Sequence, residues 1–251
     1  METTDVAERA GALLAALANA GELREESVSV RGVARPLRVV RPVDTDLLLD
    51  HVASDPEQNL PYWAELWPSG VGLASELAAE PALVAGKRAV ELGSGVGITA
   101  AVALEVGAEL LATDYAPESL VLTRYTCLLH TGREPAVMQL NWRDEADVTR
   151  LLADGPVPVV LAADVLYEQR DIEPLLRLFA RLVAPGGIAL LAHPGRPPAR
   201  RFLELARNEG WSSSVHEYMG PWPDPNDFGT VVFVHRLQRP AARPDAGSNR
   251  G

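Results

Sequence analysis

From Lys87 onward, short and nearly continuous apolar runs fall at 88–92, 109–113, 136–140, 158–163 and 187–193. Helical patterns lie between them at about 97–106, 117–131, 143–152 and 171–184. Strands that are apolar throughout, each followed by a helix, predict a parallel sheet covered on both faces. "RRFLELARNEG" (200–210) predicts one more helix. The period-two runs "SSVHEYM" and "GTVVFVHRL" predict an antiparallel pair on the sheet's edge.

Upstream of Lys87 the pattern changes. Residues 5–20 carry the spacing of an amphipathic helix ending at Gly21, and "SVSVRGVARPLRVVRP" (27–42) predicts a hairpin turning near Arg31 and Gly32. A helix start at Asp44 and a loop at "SDPEQN" come next. Three large aromatics, Tyr62, Trp63 and Trp67, precede a helix beginning after Pro68. At the other end, "QRPAARPDAGSNRG" (238–251) has no apolar period and predicts a disordered tail. The expected organisation is a helix-and-hairpin extension over 1–60, one α/β domain over 61–237 and the tail.

Composition narrows the partners. The 251 residues carry a formal charge of −11, which disfavours loose nucleic-acid binding and suits a basic partner. Cys127 has no second cysteine to pair with, so a reducing, cytoplasmic setting is expected, with Cys127 as a small buried apolar residue. The five histidines lack metal-ligand spacing, no apolar run reaches membrane-spanning length, and the acidic N-terminus does not read as a signal peptide. A monomer without metal or membrane attachment is expected.

"AVELGSGVGITAAVAL" (89–104) carries the first candidate chemistry. Gly93, Ser94, Gly95 and Gly97 follow a strand and open a helix, where free backbone N–H groups meet a ligand closely. A tight turn with no ligand is the alternative. The third glycine comes one position earlier than in the dinucleotide pattern G-x-G-x-x-G, and Glu91 would repel a pyrophosphate. A ligand with an ammonium or sulfonium suits it better, and S-adenosylmethionine has both. Asp114, 21 residues after Gly93, ends the next strand, where an acid accepts from ribose hydroxyls; it could also cap the following helix. Tyr115 beside it joins the candidate cofactor contacts. Trp142, after the third strand, is placed to stack on adenine, or else is a plain surface or core aromatic.

In "VVLAADVLYEQRDI", Asp164 and Tyr167 stand at the carboxyl end of the fourth strand. The two prolines of the N/D-P-P-Y/F pattern are missing, which counts against methylation of planar amide or adenine nitrogens. Asp164 suits a lysine ammonium, which it would orient and deprotonate; capping the next helix is the alternative. Trp63, Trp67 and Tyr167 are candidate walls that would favour a neutral amine.

Together "YWAELWPSG", "AVELGSGVGITA", "ATDYAPESL", "LNWR" and "LAADVLYE" resemble the class I, seven-strand S-adenosylmethionine-dependent methyltransferases. More narrowly they resemble the methyltransferase-16 group of protein-lysine methyltransferases. "PYWAELWPSG" and "HPGRP" (193–197) look most like the members acting on the electron-transfer-flavoprotein β subunit, although His193 stands where those have Asp; "DVLYE" looks more like the chaperone-directed members. The resemblance implies a Rossmann-like seven-stranded sheet of order 3-2-1-4-5-7-6 with helices on both faces. It implies cofactor contacts from Trp67, the Gly93–Gly95 turn, Asp114, Trp142 and Ala163, and a catalytic pocket at Asp164 and Tyr167. The expected activity is methyl transfer to a lysine of a protein. Alternatives are a small-molecule N- or O-methyltransferase, with the N-terminal helix and hairpin as a lid, an NAD-dependent oxidoreductase, or a non-catalytic binding protein. "HPGRPPARR" (193–201) either lines the acceptor side through Arg196 or is a surface loop with a helix start, the blander of the two readings.

Overall fold

The computed structural model describes residues 3–44, 57 and 59–241. The helix expected to start at Asp44, most of "SDPEQN" and residues 242–251 of the expected tail lie outside them.

A seven-stranded sheet forms the centre. Its strands are β3 (Arg88–Leu92), β4 (Glu109–Asp114), β5 (Ala136–Gln139), β6 (Val157–Ala163), β7 (Val183–His193), β8 (Ser212–Met219) and β9 (Val231–Gln238). They lie in the order β5-β4-β3-β6-β7-β9-β8, with β9 antiparallel to both of its neighbours. Counted from β3 as the first, this is the expected order 3-2-1-4-5-7-6. It changes direction at β3, where β4 lies on one side and β6 on the other, so a crevice opens at the carboxyl ends of these strands.

Strand residues alternate between two cores, as a period of two requires. Ala89, Leu110, Leu161 and Leu190 face helices α2 (Pro68–Ala79), α3 (Ile98–Glu105) and α4 (Pro117–Thr131). Val90, Val160, Ala162 and Leu191 face α5 (Glu145–Leu151), α6 (Ile172–Leu182) and α7 (Pro197–Asn208). Helix starts obey local chemistry: prolines occupy the first turn of α2, α4 and α7, where their missing N–H costs nothing. That is why α7 begins at Pro197 and not at the expected position 200. β7 starts earlier than expected because Val183 already pairs with Val157, before a register shift brings Ile188 opposite Val159.

Ahead of the sheet, α1 (Thr3–Ala16) precedes an antiparallel hairpin, β1 (Leu23–Val28) and β2 (Leu37–Pro42). Leu13, Leu17, Leu37 and Val39 are buried in the same core as Tyr125 and Leu128 of α4. Glu134 joins Arg9 of α1 to Arg124 of α4, at 3.0 and 2.6 Å. Among the described residues no helix is long and apolar enough to cross a membrane.

Candidate active site

The crevice at the switch in strand order is a cavity of about 350 Å³. Its floor is the turn after β3. Gly93 and Gly95 have φ of 69° and 53°, a left-handed backbone that glycine adopts without strain. A Cβ on Gly93 would stand 3.0 Å from Val165. The turn is closed by Asp114 at the tip of β4. One carboxylate oxygen accepts from the Gly95 N–H at 2.9 Å and the other from the Ala116 N–H at 3.1 Å. Asp114 thus fastens two backbone segments at the cavity lip, and Ala116, not Asp114, precedes α4 as its cap residue. Burial pushes its carboxyl up from the usual range, and the bonds from Gly95, Ser119, Ala116 and Tyr115 oppose that.

Trp67, Tyr115, Trp142 and Ala163 line the cavity as expected, and so do Asp164 and Tyr167. Glu91, Ser94 and Gly97 do not. Glu91 is 1% exposed; burial, then the charge of Asp114, push its carboxyl well above the usual range, and Oε2 has no partner. The expected place of Glu91 among the cofactor contacts is corrected accordingly: it is buried and does not line the cavity. Ser94 serves packing, its hydroxyl accepting from Thr123 at 2.9 Å. Gly97 caps α3, and a Cβ there would lie 2.7 Å from Thr123 Cα. The early third glycine therefore admits α4 rather than a ligand.

On one wall Trp142 is fixed through its indole N–H, which donates to Asp171 Oδ1 at 2.7 Å. Arg143 bonds the same oxygen at 2.5 Å and reaches Glu57 and Asn59. Asp171 is fully buried in the turn before α6. Sequence reasoning missed it, since an Asp ahead of a helix looks like an ordinary cap.

The opposite wall is aromatic. Tyr62 meets Tyr167 edge to face at 5.0 Å and Trp67 at 5.9 Å. The Trp67 indole N–H donates to the Tyr62 carbonyl at 2.8 Å, so the aromatic cluster is internally braced. Asp164 has φ of 56° and is 8% exposed. It caps no helix. Arg196 Nε donates to Oδ1 at 2.7 Å, while Arg196 Nη2 and Ser69 Oγ approach Oδ2 at 3.3 Å. The guanidinium also lies 5.6 Å from the Trp67 ring centre. Arg196 is thus a cavity residue and not part of a plain surface loop. The signal was its place just past the end of β7. Because β7 runs beside β6, the residues after His193 neighbour the residues after Ala163.

A positive-φ glycine turn, an acid at the second strand's tip and an aromatic beside it fit S-adenosylmethionine, the cofactor expected from the sequence. Described residues 3–44 do not line the cavity. The N-terminal helix and hairpin pack beside it against α4, so they form no lid there.

Comparisons with known proteins agree. The chain is 31% identical over 140 residues to the electron transfer flavoprotein beta subunit lysine methyltransferase of Mus musculus, covering 55% of this chain and 52% of that protein. It is 32% identical over 120 residues to the histone-arginine methyltransferase METTL23 of Xenopus laevis, covering 47% and 50%. The chain thus spans about half the length of these relatives. Magnesium protoporphyrin IX methyltransferase from Synechocystis PCC 6803 shares the fold, with a TM-score of 0.52 at 13% identity over 78% of this chain and 96% of that one. Residues 58–208 match the model of the lysine methyltransferase family, and the chain belongs to that family.

Proposed function

We propose that this chain is a cytoplasmic, monomeric N-methyltransferase that uses S-adenosylmethionine to methylate a lysine side chain of a protein. The observation that carries the reading is one cavity with two unlike ends: the glycine turn closed by Asp114, and an aromatic wall ending in Asp164. Asp114, the Gly93–Gly95 turn, Tyr115, Trp142 and Ala163 would hold the cofactor, with Trp67 between the two ends. When bound, S-adenosylmethionine supplies an electrophilic sulfonium methyl group.

The chain's own residues act on the acceptor. A lysine amine, with a reference pKa of about 10.4, must lose its proton before it can attack. Tyr62, Trp63, Trp67 and Tyr167 strip water from the ammonium, and the guanidinium of Arg196 adds a like charge. Both favour the neutral amine. Asp164 Oδ1 keeps a lone pair beyond its bond from Arg196, whereas Oδ2 is taken by Arg196 and Ser69, so the carboxylate can accept an amine N–H at Oδ1 and aim the nitrogen. Its two oxygens are held by Arg196 and Ser69, so its role is orientation and the proton leaves to water.

The test is incubation with methyl-labelled S-adenosylmethionine and a host lysate, acid precipitation, and hydrolysis of the labelled protein. Methyl-lysine in a discrete precipitated protein supports the proposal. Methyl-arginine, as the name of the METTL23 relative would suggest, moves the acceptor class. Label confined to small molecules overturns the protein-acceptor reading.

A further inference from the structure

His193 ends β7 and is 3% exposed, yet its imidazole is poorly provided for. Nδ1 accepts from the backbone N–H of Gly195 at 2.9 Å. The ring proton therefore sits on Nε2, and that buried N–H has no partner. Against the ring lie His235, stacked at 5.1 Å and 6°, and Phe233 at 5.9 Å. An unpaired buried donor costs stability, and an apolar side chain of similar size would avoid the cost. Packing alone does not explain a histidine here.

The chain just beyond the ring supplies the explanation. In His193-Pro194-Gly195-Arg196-Pro197 the prolines fix their own φ, and Pro197 pushes Arg196 into the extended region it occupies, at φ −60° and ψ 142°. The soft joint is Gly195, at φ 87°. Its N–H is the group that His193 fastens. One residue on, Arg196 reaches Asp164 and the face of Trp67.

We infer that His193 is a positioning residue for the acceptor side of the site: its Nδ1 lone pair locks the joint from which Arg196 reaches Asp164. Burial, then the charges of His235 and Arg200, lower its pKa to about 4, so the lone pair is available throughout the neutral range. The effect on methyl transfer rests on the function proposed above; the effect on Arg196 does not.

Two variants separate positioning from packing. His193→Leu fills the space, removes the unpaired N–H and removes the acceptor. His193→Asn keeps an acceptor, Oδ1, at the branch position of Nδ1 and forms an Asx turn, but leaves a void. The readouts are the melting temperature, hydrogen exchange of the Arg196 Nε–H and Gly195 N–H by NMR, and the rate of methyl transfer to the protein identified by the labelling test. In His193→Leu the melting temperature holds or rises, both protons exchange about tenfold faster or more, and kcat falls about tenfold. In His193→Asn the melting temperature falls while exchange and kcat stay near wild type. Unchanged exchange in His193→Leu, or fast exchange in both variants, overturns the inference. If the wild-type chain transfers no methyl group, the function fails and the exchange data still decide the role of His193.

Discussion

Trp142 and Asp171 are joined by a bond of 2.7 Å from the indole N–H to a carboxylate with no solvent exposure. The bond sets the plane of an aromatic that walls the cavity. Because Arg143 shares the oxygen and also reaches Glu57, it further ties that wall to the segment ahead of the aromatic cluster. Asp171→Ala strands the indole N–H and leaves Arg143 to Glu57 and Asn59. It is expected to cost about 1–3 kcal/mol in denaturant unfolding, the cost of an unpaired buried donor. Asp171→Asn keeps an acceptor and is expected to cost less. Equal stability of wild type and Asp171→Ala would mean that Glu57 alone holds Arg143.

Asp114 closes the glycine turn and lines the cavity. Asp114→Ala leaves the Gly95 N–H without its acceptor. Calorimetric titration with S-adenosylmethionine is expected to show affinity lower by at least about tenfold, alongside a stability loss of about 1–3 kcal/mol. Affinity within error of wild type would remove Asp114 from the cofactor site.

How much of this was legible in sequence depended on distance along the chain. The turn at Gly93–Gly95 and its acid Asp114 announce themselves, because strand, turn and helix are contiguous and the next strand comes at short range. The role of Gly97 was misread because its reason lies across a helix interface, at Thr123, where composition gives no signal. Glu91 is adjacent to the turn in sequence, but its strand register turns it toward the core. Arg196 is 32 residues from Asp164, and only the adjacency of β6 and β7 brings the two together. Local chemistry was readable, then, while pairings made by strand order were not.

Backbone strain and charge separate cleanly at Asp164. Its φ of 56° is a conformation that Gly adopts freely and that Asn tolerates, whereas Ala pays about 1 kcal/mol or more. Asp164→Gly is therefore expected to unfold later than Asp164→Ala by about that amount, although both lose the Arg196 pair. Asp164→Asn keeps the backbone and loses the charge. Its kcat is expected to fall about tenfold, from lost orientation, with cofactor affinity within about twofold of wild type. Full turnover in Asp164→Asn would reduce Asp164 to a scaffold for Arg196.

Glu91 gives a pH signature. Its folded-state pKa is raised well above the ordinary 4.5 by burial and then by Asp114. Above about pH 4.5 the unfolded chain gives up this proton while the folded chain keeps it, so stability falls as pH rises toward the raised pKa and levels beyond it. Glu91→Gln removes that contribution, and its advantage over wild type is expected to grow with pH. Asp114, also raised, stays in both proteins, so the slope is reduced and not abolished. Urea midpoints between about pH 5 and pH 8 measure it. Parallel curves for the two proteins would show that Glu91 keeps the same protonation folded and unfolded.

Tyr167 separates two ways a phenol can serve this site. Burial, then the charges of Asp171, Glu168 and Asp114, push its pKa well above the ordinary 10, so the phenol stays protonated throughout the working range. It can donate a hydrogen bond and it cannot act as the base. Its ring does separate work, meeting Tyr62 edge to face at 5.0 Å in the aromatic wall of the cavity. Tyr167→Phe keeps the ring and loses only the donor. A several-fold fall in kcat is expected, of the size of one lost neutral hydrogen bond, about 1 kcal/mol. The rising limb of the pH–rate profile should stay in place, because it reports the acceptor amine losing its proton and not the phenol. Tyr167→Ala, which opens the wall to water, should instead move that limb to higher pH by restoring solvation of the ammonium. A shifted limb in Tyr167→Phe would make the phenol a participant in proton transfer and would return the role of base to this side of the cavity.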